Sequence, residues 1–165
     1  MADNHTIDQL NHLVRINKNA EAGLHTAAEN VQNSELETLF GGYARQHAKF
    51  IRELQEEIKR LGGAVSDSGT VGEAMHRAWM DVTSALSGHS AASALSACES
   101  GELSAEIAYH DASDLNPTGQ THTLIEKQRE QIKGFHTRLC RLVGEIKNGL
   151  EFPKNDAIPK NDRHR

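Results

Sequence analysis

Six residues have the types and spacing to hold a cation or handle protons: Glu21, His47, Glu99, Glu102, Gln128 and His136. Glu21 interrupts an otherwise apolar helical stripe, and His47 interrupts the next one. An ionisable group at a core position is unfavourable unless something pairs with it, so these two positions point to chemistry. Glu21 lies about 13 residues before the first expected turn and His47 about 13 after it, which places both ~20 Å from that end and facing each other. Glu102 and Gln128 flank a later turn at similar distances. If the two turns lie at opposite ends of a bundle, all four side chains meet near its middle. Carboxylate and imidazole groups converging between helices suit iron or manganese. Glu99, Glu102 and Glu106 stack on one helical face, where like charges repel and a cation would relieve them. A Glu21–His47 pair without metal, or solvated glutamates on an outer face, would satisfy the same residues.

The elements that must position these groups read as helices throughout. Thr6-x-x-Gln9 and Ser34-x-x-Glu37 supply capping boxes for helices over about 6–31 and 34–61. The first stripe is Leu10, Leu13, Val14, Asn17, Glu21, Leu24, Ala28 and Val31. The second is Leu36, Leu39, Phe40, Tyr43, His47, Phe50, Leu54, Ile58 and Leu61, ended by Gly62-Gly63. A shorter helix capped by Thr70-x-x-Glu73 carries Met75, Ala78, Trp79, Val82 and Leu86. Another long helix begins near Ser90, with Leu95, Cys98, Glu99, Glu102, Glu106 and Tyr109 on one face. Asn116 is the expected cap of the last and Pro117 its first helical residue; this helix carries Leu124, Gln128, Ile132, Phe135, Leu139, Leu142 and Ile146 and stops near Gly149. Residues 151–165, in which Pro-Lys-Asn-Asp occurs twice, read as a polar, disordered tail after a single domain over 1–150.

The expected fold is all-α: two helical hairpins joined by a partly helical crossover between the second and third long helices. A crossover helix of roughly 16 residues reaches about 24 Å, far enough to run back along most of a bundle. That favours ferritin-like topology over an up-down meander.

Composition excludes several function classes. A net charge of −5 and 4% aromatic residues argue against a nucleic-acid binder. No apolar run approaches a membrane span, and the polar Met1–His5 start has no signal core, so a cytoplasmic protein is expected. Two cysteines, Cys98 and Cys140, fit small core or boundary thiols in a reducing compartment rather than a disulfide framework.

From about Leu10 to Ile146 the chain resembles a bacterial family of ferritin-like four-helix-bundle proteins of unknown function. The resemblance is carried by Ala27-Ala28-Glu29, Glu53-Leu54, Leu61-Gly62-Gly63, His76-Arg77-Ala78-Trp79, Cys98-Glu99-x-x-Glu102, Gln128 and His136. It implies the fold and a superfamily that often binds iron, and through other bacterial members a stress-related role, but no established reaction.

Dedicated di-iron sites add a Glu-x-x-His from each of two helices. Here Ala44 stands three before His47 and Lys133 three before His136. The sole such pair, Glu73-x-x-His76, lies on the crossover, where capping accounts for Glu73. Oxidase chemistry is therefore not expected, and the reading leans away from an enzyme. The expected ligands are Glu21, His47, Glu99 and Glu102, with Gln128 and His136 as outer contacts or replacements. The alternative is a non-catalytic helical interaction protein that self-associates and whose mid-bundle polar groups only fix helix register.

Overall fold

The computed structural model describes residues 4–66, 76–77, 79–80, 90–115 and 117–149. Four long helices account for nearly all of them: α1 (Asn4–Asn30), α2 (Ser34–Arg60), α3 (Ala91–Asp114) and α4 (Gly119–Lys147). No strand occurs among the described residues, so the all-α bundle expected from periodicity is what forms.

Three N-termini differ from the expected caps. Asn33, not Ser34, caps α2: its extended backbone lets Oδ1 accept from the Leu36 amide at 3.0 Å. At α1 the helix already begins at Asn4, so Thr6 lies within the first turn and is not its cap. The third helix begins after Ser90, near where it is expected, and Ser90 caps it, its hydroxyl accepting from the Ser93 amide. Pro117 is not the first helical residue of α4. Thr118 holds the cap position and Gly119 begins the helix at φ +60°, which a residue with a Cβ rarely adopts.

Burial follows the apolar stripes closely. Leu10, Leu13, Val14 and Leu24 of α1 meet Leu36, Phe40, Phe50, Leu54 and Ile58 of α2, all essentially inaccessible. Leu95, Cys98, Ala105 and Tyr109 of α3 and Ile125, Ile132 and Leu139 of α4 close the core. The third helix fills much of its share with alanines, Ala94, Ala97, Ala105 and Ala112, beside Leu95 and Tyr109.

The N-terminal end of α1, the C-terminal end of α2 and the turn between α3 and α4 line one cleft, shared by His5, Arg60, Leu115 and Gly119. The α1–α2 turn at 31–33 therefore lies at the opposite end, and α2 and α3 run the same way. The chain must return the length of α2, about 40 Å at 1.5 Å per residue, before α3 begins. That long crossover is the connection that ferritin-like bundles require.

Of the crossover helix, His76, Arg77, Trp79 and Met80 are described and helical. Trp79 is 5% exposed and lies against two glycines, Gly23 of α1 and Gly101 of α3. A Cβ on Gly101 would stand 2.5 Å from Trp79 Cζ2, and one on Gly23 would meet Cε3 still more closely. The indole thus docks the crossover onto the α1–α3 face, the packing role expected of it. The cap at Thr70, Glu73, Met75, Asn116 and the tail over 151–165 lie outside the described residues.

Candidate functional site

Helix geometry sorts the chemistry-bearing residues into two groups, one dry and central, the other at the α3–α4 seam. In the centre, His47 is fully buried on α2 and Glu102 fully buried on α3. His47 Nε2 lies 3.0 and 3.3 Å from the two Glu102 oxygens, contacts that need a proton between ring and carboxyl group.

The other ring nitrogen meets Asn17, not Glu21. Asn17 and His47 stand equally far along the chain from Gln32, the middle of the α1–α2 turn, so their levels coincide once the turn is placed there. Asn17 Nδ2 lies 2.8 Å from the Leu13 carbonyl, which can only accept, so Oδ1 faces His47 Nδ1 at 2.7 Å. Nδ1 therefore carries its hydrogen and donates.

The same amide nitrogen donates to the Tyr109 hydroxyl at 2.7 Å, and that hydroxyl donates to Gln128 Oε1 at 2.6 Å. Gln128 Nε2 then donates to Glu53 Oε2 at 2.9 Å and approaches the Phe50 carbonyl at 3.4 Å. Glu53 closes the series at the surface beside Lys127, 3.7 Å away. One chain of hydrogen bonds thus links all four helices, from Glu102 through His47, Asn17, Tyr109 and Gln128 to Glu53. Burial pushes the Tyr109 phenol and the Cys98 thiol well above their ordinary ranges, so both stay neutral. Phe50 and Phe135 present their rings to the His47 imidazole edge-on and leave it packed on its sides.

Glu21 is half-buried, one turn along α1 from Asn17, and takes no part in this network. Of the four residues expected to converge, His47, Glu102 and Gln128 do so, with Asn17 and Tyr109 completing the set. Both lie on the inward stripes that apolar spacing defines; neither carries a charge to mark it.

Glu99, Glu106 and His136 form the second group. Glu99 and Glu106 lie one turn on either side of Glu102, rotated toward α4. The His136 ring sits between them, Nε2 2.8 Å from Glu99 Oε1 and Nδ1 2.8 Å from Glu106 Oε2. These three side chains are only 18–26% exposed. Cys140, one helical turn beyond His136, joins them from the solvent side. Its sulfur lies 3.3 Å from His136 Nε2 and 3.5 Å from Glu99 Oε1. Donor atoms of Glu99, His136 and Cys140 all fall within 4.8 Å of one another. Partial burial raises the Cys140 thiol above its ordinary range, and the Glu99 hydrogen bond and the Glu99 and Glu106 charges add to this. Cys98 is buried as expected, whereas Cys140 is exposed, and spacing along one helix offers no reason to join it to Glu99 of another.

A helical bundle with a dry polar core and a mixed carboxylate–imidazole–thiol cluster on one helix pair is the class of protein that fold and site define. The chain belongs to a family described as a domain of unknown function, DUF2383, whose model matches residues 5–115. The match takes in α1 to α3 and thus Asn17, His47, Glu99, Glu102, Glu106 and Tyr109. It ends before α4, which supplies Gln128, His136 and Cys140. No curated protein matches the chain. No helix among the described residues is long and apolar enough to cross a membrane.

Proposed function

We propose that this protein is a metal-binding helical bundle whose ion sits between α3 and α4, on Glu99, His136 and Cys140. The observation that carries this reading is the convergence of three unlike donors from two helices within 4.8 Å, with one of them open to solvent. The bundle centre is less suited to an ion. There His47 and Glu102 already satisfy each other, and Asn17 occupies the other ring nitrogen. Placing a cation there would displace bonds that are already made and force water-stripped groups apart. The described clefts at the end of the bundle and along α4 are lined by other residues, and the proposal is of ion binding alone.

Dialysis of the purified chain against Fe²⁺, Mn²⁺ or Zn²⁺, followed by elemental analysis, tests it. One ion per chain is expected, lost in Glu99→Ala with His136→Ala and kept in Glu21→Ala. Retention that survives the double substitution would end this reading, and loss in Glu21→Ala alone would move the ion to the α1–α2 seam.

A second reading, a non-catalytic bundle that pairs with a second copy, draws on Leu103 and Ile107. They stand four residues apart on α3 and are 39% and 53% exposed. In that case the central network serves to fix helix register. Sedimentation equilibrium of the wild type and of Ile107→Glu decides it: a dimer that the substitution dissociates supports this reading, and a monomeric wild type removes it.

A further inference from the structure

Resting on the ion position proposed above, we infer that the site is built for a Zn²⁺-class ion bound through a Cys140 thiolate, with Glu106 as a positioning residue for His136. The donor set is the first reason. A thiolate with one imidazole and one carboxylate suits a borderline-soft ion, whereas Mn²⁺ and Mg²⁺ favour oxygen throughout.

Geometry is the second. A tetrahedral ion with metal–sulfur and metal–nitrogen bonds of about 2.3 and 2.0 Å separates sulfur from its neighbouring donors by about 3.5 Å. The observed separations from Cys140 Sγ are 3.3 and 3.5 Å. Only the Glu99–His136 edge, 2.8 Å, is shorter than the ion needs, because a hydrogen-bonding proton spans it. The ion replaces that proton and the thiol hydrogen, and the edge opens by about 0.5 Å.

The third reason is Glu106. It accepts from His136 Nδ1 at 2.8 Å, which leaves Nε2 as the metal-binding nitrogen and aims it at Glu99 and Cys140. A carboxylate on the far nitrogen is the usual outer partner of a metal-bound histidine. His136 and Cys140, one turn apart on α4, and Glu99 on α3 fill three positions; the fourth faces solvent beside Cys140.

Co²⁺, whose thiolate complexes absorb in the near ultraviolet, is the probe. Added to the metal-free full chain, one equivalent is expected to give a thiolate-to-cobalt charge-transfer band that one equivalent of Zn²⁺ abolishes. Cys140→Ser should lose the band, and Cys98→Ala should keep it. Glu106→Ala should weaken Zn²⁺ binding roughly 10- to 100-fold, with partial recovery in Glu106→Gln, whose amide oxygen still accepts from Nδ1. Unchanged circular dichroism in each variant separates lost binding from lost folding. Co²⁺ bound without the band, or tighter binding of Mn²⁺ than of Zn²⁺, would overturn the inference while leaving an ion at His136, and a band that persists in Cys140→Ser would overturn it by moving the ion to Cys98. No binding of Co²⁺ or Zn²⁺ to the wild type would overturn both.

Discussion

His47 and Glu102 are each other's hydrogen-bond partners inside the core, so the loss of either should be felt through the partner left behind. His47→Ala strands a buried carboxylate and is expected to destabilise the fold by about 3–5 kcal/mol. Glu102→Gln should cost only about 1 kcal/mol, because the new amide donates to Nε2 while Nδ1–H still donates to Asn17. Urea unfolding of both variants checks the pair; equal losses would show that the contact contributes no specific pairing. Glu57 behaves differently. It is nearly buried on α2, and the Arg60 guanidinium, then Thr121, hold its carboxyl below the ordinary 4.5 against the opposing effect of burial. A lowered native value means stability is fully present above the unfolded value and is lost as pH falls through the native one. Denaturation midpoints measured from about pH 6 down to about pH 3 should therefore drop, and Glu57→Gln should flatten that acid limb. A wild-type limb no steeper than that of Glu57→Gln would remove Glu57 from the acid response.

At the scale of elements, one indole joins the crossover to the bundle. Gly23→Ala and Gly101→Ala would ordinarily favour their helices by up to about 1 kcal/mol. Here each new methyl would enter the space of the Trp79 ring, which is buried and can yield only by giving up its seat on the bundle. Overpacking of about 1–3 kcal/mol outweighs the propensity gain, so both substitutions are expected to destabilise. Trp79 is the chain's only tryptophan, so its fluorescence should shift to the red as the ring is displaced. In a Trp79→Ala background the same glycine substitutions should become neutral or stabilising. A cycle with no such change of sign would mean the ring does not press on α1 and α3. The α2–α4 seam is held in another way, by the stack of Tyr43 on Phe135 at 4.1 Å and the Gln46–Gln131 bond. Large apolar groups and polar side chains thus share the work of fixing four axes.

Across the whole molecule, an ion between α3 and α4 would tie together the hairpin that is poorest in large core side chains. Because an unfolded chain does not assemble the three donors, saturation stabilises the native state by mass action. At 100 times the dissociation constant the gain is about 2.7 kcal/mol. Differential scanning calorimetry with Zn²⁺ should show a higher melting temperature, reversed by a chelator and absent in His136→Ala. An unshifted wild-type transition would show that the cluster is complete without an ion.

Much of this architecture is legible in the order of residues. Apolar spacing sets the four helices and their inward faces, and the Gly62–Ser90 stretch, too long for a turn, requires the crossover. His47, Glu102 and Gln128 can be recognised as buried because each interrupts or joins an apolar stripe, a property local to one helix. Helix height and rotation are not legible to better than a turn, since a shift of the turn centre by a residue or two exchanges Glu21 for Asn17 as the partner of His47. Nor can a single helix show that Glu99 and Glu106 turn to His136 while Glu102 between them turns to His47. The Cys140 contact is likewise set by the distance between two axes, which depends on the small residues of α3 and on the rotation of α4. The sequence alone thus determined which faces are buried; only packing in three dimensions decided which polar groups meet, because hydrogen bonds and metal donors must match within ångströms.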